Sequence, residues 1–417
     1  MIDRVIYQVF PDRFCNGDNS NDPLYTKTWG SNIDKETFMG GDLRGIISKL
    51  DYIKELGIKA IYLNPIFKSP SNHKYDTEDY FSIDSSFGTL NDFEMLITEC
   101  HKRDIYVIID GVFNHTGTGF FAFQDILLNQ KKSKYTDWYH ILSYPVAIKD
   151  NPPYKACGGA AFLPKLNTKN IEVQDYAIKV IKYWKNKGID GIRLDVPFEI
   201  HTSLLKRIRK ETNLYILGEI WGYGKDYVPQ YFDGVTNYPL RELIKKAVVD
   251  QCITSRMFVE EWLTIQNLYG VNINYSVNLA GSHDTKRIYN LCSGDIKKEK
   301  LFFLLLFFMP GIPLIYYGDE IGLQGENDPY CRGCMDWNEK NWNKDIYHHI
   351  KELISLRNEY KVLSKGEVVF TCTADRCLII TRYDDSSSVK AYVNFGFQTE
   401  NIENVNVEPM DYKIYFK

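Results

Sequence analysis

The chain lacks several things that would each have set its class. The run Leu301 to Met309 is apolar but far too short to span a bilayer, and Pro310-Gly311 stops it. No membrane partner is expected. There is no excess of positive charge: 50 Lys and Arg against 54 Asp and Glu give a net charge of -4. That argues against a nucleic-acid binder held by phosphate contacts. The start Met1-Ile2-Asp3-Arg4-Val5-Ile6-Tyr7 shows no basic-then-apolar leader and enters a strand at once. The nine cysteines are odd in number and scattered, without disulfide-scaffold spacing. Both features favour a reducing cytoplasm. Nor does any strand end carry zinc-type histidine spacing, which counts against a metal-dependent hydrolase.

What is present is an ordinary globular composition, 44% hydrophobic and 25% charged, with one surplus. The chain holds 30 Tyr, 23 Phe and 7 Trp. Most of these rings will be core, yet the surplus also suits a cleft where flat rings stack on pyranose faces.

One stretch organises the rest: Gly188-Ile189-Asp190-Gly191-Ile192-Arg193-Leu194-Asp195-Val196. Its apolar residues read as a buried parallel strand. Arg193 and Asp195 break that pattern and, two apart, point to the same side. A buried carboxylate beside a buried guanidinium is costly unless each neutralises the other. Arginine cannot be deprotonated, so Arg193 is expected to hold Asp195 ionised, as a nucleophile requires. A structural ion pair at a strand end would look the same.

Strand and helix patterns alternate along the chain. Strand candidates are Arg4–Phe10, Ile58–Leu63, Ile105–Ile109, the organising strand, Tyr215–Gly218, Phe232–Val235, Val277–Leu279 and Pro313–Tyr317. Helical periodicity covers Leu43–Leu56, Leu90–Lys102 behind an N-cap at Thr89, Asn170–Lys187, Glu199–Glu211, Lys298–Met309 and Ile346–Arg357, with two more helices between Leu240 and Leu268. Such alternation predicts right-handed crossovers and a parallel sheet, and eight units close into a (β/α)8 TIM barrel. The expected organisation is a catalytic barrel over 1–110 and 166–362, a loop-inserted subdomain over 111–165 after strand three, and a small C-terminal antiparallel β domain over 363–417.

In such a barrel the C-terminal strand ends share one mouth. Here they carry Asp110 and His115, Arg193 and Asp195, Glu219, and His283 and Asp284. Acids converging from different strands suit glycosidic chemistry, whose oxocarbenium-like transition state needs one acid and one nucleophile or base.

These strand ends also form ordered motifs: Asp110 to His115, Leu163-Pro164-Lys165-Leu166-Asn167, Gly191 to Val196, Gly218-Glu219-Ile220-Trp221 and Ser282-His283-Asp284. The set resembles the α-amylase family of glycoside hydrolases over nearly the whole chain. The resemblance implies Asp195 as nucleophile, Glu219 as acid and then base, and Asp284 as the stabiliser of the distorted ring. It implies that Arg193 orients Asp195, that His115 and His283 hydrogen-bond the sugar, that Tyr75 stacks beneath it, and that Asp76 helps hold the same loop. Trp221 and Tyr223 would border the acceptor side. Asp110 would support Arg193. The expected reaction is double displacement with retention at the anomeric carbon.

Lys165 in Pro-Lys-Leu-Asn resembles the neopullulanase, cyclomaltodextrinase and maltogenic amylase group, although Leu163 stands where that group usually has Met. The expected substrates are α-1,4-glucans: maltooligosaccharides, cyclodextrins, starch or pullulan. Two alternatives stay open: a transglycosylase or small α-glucoside hydrolase of the same fold, and a barrel that has lost catalysis. The Asx-rich loop after the first strand favours calcium by its oxygen donors, but an ordinary surface loop looks alike. The resemblance implies a structural Ca2+ site at Asn16, Asp18, Asn21, Asp22, Gly40 and Asp42, with Asn114 a weaker candidate. Cys331 and Cys334 are read as structural. The group usually carries a β-rich domain before its barrel. None is seen here, so a monomer with a more open cleft is expected.

Overall fold

A computed structural model describes residues 1–417, the side chain of Val271 excepted. Eight parallel strands form one sheet: β1 (Ile6–Val9), β2 (Ala60–Leu63), β3 (Tyr106–Gly111), β4 (Gly191–Leu194), β5 (Tyr215–Gly218), β6 (Gly234–Val235), β7 (Val277–Leu279) and β8 (Ile312–Tyr316). Their order is β6-β5-β4-β3-β2-β1-β8-β7. A parallel bridge from Thr236 to Val277 joins the two edges, so the sheet closes on itself. Helices separate successive strands except β5 and β6, which a helix-free loop joins, and the whole is the (β/α)8 barrel that the alternation predicts.

Short apolar strands make this possible because both of their faces are buried. Ile6, Ala60, Ile108, Leu217, Leu279 and Leu314 fill the interior. The opposite faces pack on the helices in one continuous core. The register sets the site: Asp110 on β3 lies opposite Arg193 on β4.

Local signals explain most helix boundaries. Thr89 caps Leu90–Lys102 through a reciprocal pair with Asp92, and Asn170 caps Ile171–Asn186. Most boundaries differ from the sequence reading by one or two residues, and two helices differ by more. Leu43–Leu56 is two helices, Leu43–Ser48 and Leu50–Glu55, broken at Lys49. The helix expected from Glu199 starts at Thr202, because Pro197–Glu199 is spent on a separate tight turn just beyond Asp195.

After β3 the chain leaves the barrel. The segment holds a helix at Phe121–Asn129 that weak periodicity had hidden, and returns through bridges from His115 to Lys165 and Tyr139 to Leu166. The C-terminal part is an antiparallel sheet of β9 (Glu367–Ala374), β10 (Cys377–Tyr383), β11 (Ser388–Asn394) and β12 (Asp411–Phe416). It is fastened to the barrel by the buried Arg382, whose guanidinium donates to the carbonyls of Phe308, Leu363 and Gly366 at 2.9, 3.1 and 2.8 Å. No described helix is long and apolar enough to cross a membrane.

Candidate active site

The mouth of the barrel holds a cavity of about 340 Å³ lined by Tyr75, His115, Asp195, Glu219, Trp221, His283 and Asp284, among others. Seven of the nine residues read from sequence as catalytic or sugar-contacting therefore share one wall-to-wall space. The other two lie just behind it. Arg193 is buried beneath the carboxylates. Asp76 is turned away, with Oδ1 accepting from the Ser69 and Ser71 hydroxyls, and so secures the loop that carries Tyr75.

Arg193 is the electrostatic centre. Its Nη1 lies 2.8 Å from Asp195 Oδ1 and 2.8 Å from Asp110 Oδ1, and its Nη2 lies 3.0 Å from Glu219 Oε2. One planar guanidinium thus gathers a carboxylate from each of three adjacent strand ends. Asp195 and Glu219 thus share this guanidinium through its two terminal nitrogens. One cation cannot balance three anions. Burial accordingly pushes the Asp195 carboxyl well above the usual carboxylate range, with Arg193 pulling it down and Glu219 and Asp110 pushing it further up. Desolvation and the two neighbouring acids thus oppose Arg193, the group that favours the ionised form of Asp195. Burial also raises Asp284, against the pull of Arg332.

The backbone beyond β4 contributes directly. Val196 sits at φ 43°, in the left-handed region that a β-branched residue rarely adopts. That turn aims its N–H at Glu219 Oε2, 3.1 Å away. The other oxygen, Oε1, accepts only from the Trp221 indole at 3.2 Å. Trp221 itself stacks on Tyr238 at 3.9 Å and leaves its outer face to the mouth.

His115 is buried, its Nε2 has no protein partner, and burial depresses its pKa to about 4. A lowered pKa favours the neutral imidazole, and the unpartnered Nε2 is free to hydrogen-bond a neutral ligand in the cavity that His115 lines. Asp284 meets His283 Nε2 at 3.0 Å and Arg332 Nη2 at 3.3 Å.

Several residues here escaped the sequence reading. Tyr62 donates to Asp110 at 2.7 Å, and Arg332, His73, Asp328 and Phe162 line both this cavity and a neighbouring one of about 690 Å³. Tyr62 lies inside an apolar strand and gave no signal. Arg332 sat in Cys331-Arg332-Gly333-Cys334, where the cysteines drew attention. Cys331 is buried against the His283 carbonyl, and all nine cysteines are free thiols.

Among the proposed calcium residues, the carboxylates of Asp18 and Asp42 are committed elsewhere. Asp18 accepts from Ser20 and pairs with Arg44, and Asp42 caps the helix at Leu43 through Gly45 N–H at 2.6 Å. Asn16 Oδ1 and Asn21 Oδ1 are buried with no hydrogen-bond partner, and the Asp22 carboxylate accepts only from Asn16 Nδ2, at 2.9 and 3.1 Å. Two orphaned amide oxygens and one carboxylate are donors that fit a hard cation. Among the described residues no group of three or more His, Cys, Asp or Glu side chains is arranged to hold a metal. Asn114 Oδ1 is also unpartnered, while its amide nitrogen faces Glu199.

A barrel with carboxylates gathered at its C-terminal mouth around a sugar-sized cavity is the architecture of a glycoside hydrolase. Comparison with known proteins agrees. The profile "Alpha amylase, catalytic domain" matches residues 8–204 and 197–343. Cyclomaltodextrinase of Geobacillus thermopakistaniensis (strain MAS1) is 42% identical over 403 residues, 94% of this chain and 68% of that protein. Intracellular maltogenic amylase of Bacillus subtilis (strain 168) is 40% identical over 417 residues, 98% of this chain and 70% of that protein. Cyclic alpha-maltosyl-(1-->6)-maltose hydrolase from Arthrobacter globiformis superposes with a TM-score of 0.96 at 36% identity, over 100% of this chain and 98% of that one. The chain belongs to the α-amylase family of glycoside hydrolases.

Proposed function

We propose that the protein is a retaining hydrolase of α-1,4-glucosidic bonds in short or cyclic α-glucans. The observation that carries this reading is the shared guanidinium: Arg193 holds Asp195 at 2.8 Å and Glu219 at 3.0 Å, from adjacent strands. Two acids drawn to one guanidinium suit a nucleophile and an acid acting on the same anomeric carbon, whereas an inverting pair stands roughly 6.5–9.5 Å apart to admit a water.

In this reading Glu219 Oε1 gives its proton to the glycosidic oxygen while Asp195 attacks the anomeric carbon. The carbon–oxygen bond to the leaving sugar breaks, and a β-linked glycosyl ester on Asp195 remains. Glu219, now a carboxylate, takes a proton from water, whose oxygen displaces Asp195. Asp284 and the neutral His115 and His283 would hydrogen-bond the reacting ring, and Tyr75 would lie beneath it. Trp221 and the exposed Tyr223 would receive the leaving portion.

The maltooligosaccharide, cyclodextrin, starch and pullulan choices follow from the relatives' names and the Pro164-Lys165-Leu166-Asn167 motif. The full-length likeness to the Arthrobacter hydrolase adds cyclic maltosyl-maltose to the candidates. Transglycosylation is the alternative outcome if a sugar hydroxyl replaces water. Chromatography of products from maltotriose, β-cyclodextrin, pullulan and cyclic maltosyl-maltose tests the choice. Glu219→Gln should lower turnover by about 10²–10⁴-fold, and an unchanged rate would remove the assignment. We also propose a structural Ca2+ held by Asn16, Asn21 and Asp22. Its role would be to pin the loop after β1. A monomeric, cytoplasmic protein completes the proposal.

A further inference from the structure

The hydrogen bonds behind the cavity close into a ring: Tyr75, Asn64, Gln8 and His283, back to Tyr75. We propose that Gln8, on β1, is a positioning residue that fixes the tautomer of His283 with its proton on Nε2, so that this N–H holds the carboxylate of Asp284. The proposal rests on the reading of Asp284 as a reacting-site acid.

The direction of every bond in the ring follows from Asp110, which stands outside it. Arg193 Nη1 can only donate, and it lies 2.8 and 3.0 Å from the two Asp110 oxygens. Asp110 therefore acts as an acceptor. It takes the phenol protons of Tyr62 at 2.7 Å and of Tyr75 at 2.9 Å. Having given its only proton, Tyr75 accepts from Asn64 Nδ2 at 3.1 Å. That orients the Asn64 amide, whose Oδ1 faces Gln8 and accepts from Nε2 at 3.0 Å. The second hydrogen of the same Gln8 nitrogen meets His283 Nδ1 at 2.9 Å. Turning the Gln8 amide over would set its oxygen against Asn64 Oδ1, so the arrangement has one sense.

His283 Nδ1 is then an acceptor, and the ring proton lies on Nε2. There it finds two acceptors, the Tyr75 oxygen at 2.7 Å and Asp284 Oδ2 at 3.0 Å. The opposite tautomer would oppose two N–H groups at Gln8 and leave a lone pair facing a carboxylate. A doubly protonated ring is opposed by burial and by the nearby guanidiniums of Arg332 and Arg193. Gln8 and Asn64 are themselves buried, 1% exposed each, so water does not substitute for them. The other holder of Asp284 is Arg332 at a longer 3.3 Å. The tautomer therefore bears directly on where Asp284 points.

Long-range ¹H–¹⁵N correlation of histidine rings in the full chain reads this state, with His283→Asn identifying the resonance. The expected spectrum shows His283 with Nε2 protonated and Nδ1 unprotonated. Gln8→Glu offers a carboxylate to Nδ1 and should move a proton onto it. In the same variant kcat should fall about tenfold or more with KM nearly unchanged. Gln8→Leu, which removes the donor without adding charge, should give a mixed tautomer. A wild-type spectrum with Nδ1 protonated overturns the proposal even if neither variant folds. So does a kcat loss in Gln8→Glu with the tautomer unmoved. A tautomer switch with kcat unchanged would instead overturn the role assigned to Asp284.

Discussion

Lys165 Nζ lies 2.7 Å from Glu199 Oε2, and this contact ties the segment that leaves the barrel after β3 to the turn just beyond Asp195. Asn114 Nδ2 joins the same oxygen at 3.2 Å. The motif that carries Lys165 is thus tied to the turn that follows Asp195. The pair is partly exposed, at 21% and 34% for the two side chains. Lys165→Met should cost under about 1 kcal/mol of stability. It should raise KM several-fold, measured on maltotriose beside a denaturant titration. An unchanged KM would show that the tie does not shape the cleft.

Removing Arg193 strands three buried carboxylates around an empty centre. Arg193→Met should destabilise by about 3–5 kcal/mol, because the partners left behind keep their desolvation cost. Arg193→Lys restores a charge but not a plane that reaches Asp110, Asp195 and Glu219 together. It should recover stability in part and activity hardly at all. Urea titration and initial rates on one chromogenic maltooligosaccharide check both.

His349 supplies a pH test away from the mouth. It is buried between the helix Lys344–Glu359 and β12, accepting from Tyr412 and facing the Lys300 carbonyl. Burial lowers its pKa from 6.5 to about 4. The folded state then binds fewer protons than the unfolded one between these values. Its contribution is fully present above about pH 6.5 and is lost as pH falls toward 4, up to about 3 kcal/mol. His349→Gln should flatten the fall in melting temperature over that window. An identical slope in both proteins would contradict the assignment.

The cation proposal predicts that chelation lowers the melting temperature and that added Ca2+ restores it with a concentration dependence. Gly40→Ala should abolish that response. Gly40 sits at φ 81°, and a Cβ there would stand 2.3 Å from Asp22 Oδ1 and 2.5 Å from Asn16 Nδ2. Scanning calorimetry with and without chelator decides. A melting temperature indifferent to Ca2+ in the wild type would remove the site.

Regular, strongly patterned parts of the chain were legible from sequence. Thr89 announced its helix, and Gly188 to Val196 announced β4 and its two charges. The alternation of such elements is enough to imply the barrel. Two kinds of feature were hidden. Phe121–Asn129 is apolar on more than one face, so no helical stripe stood out. Gln8, Tyr62 and Asn64 are single polar residues within or at the end of apolar strands, and only strand register shows that they meet. The environment of Asp195 was also only half visible: Arg193 beside it was plain, but the depth of burial and the approach of Glu219 and Asp110 are properties of the closed barrel.

The central claim is that Asp195 attacks and Glu219 assists from the opposite role, in two displacements. Proton NMR of the reducing end formed in the first minutes of maltotriose or cyclodextrin hydrolysis tests it directly. The α-anomer signal should appear first, with the β-anomer growing only at the rate of mutarotation. A β-anomer formed first would mean a single inverting displacement and would contradict the pairing of Asp195 and Glu219 described here.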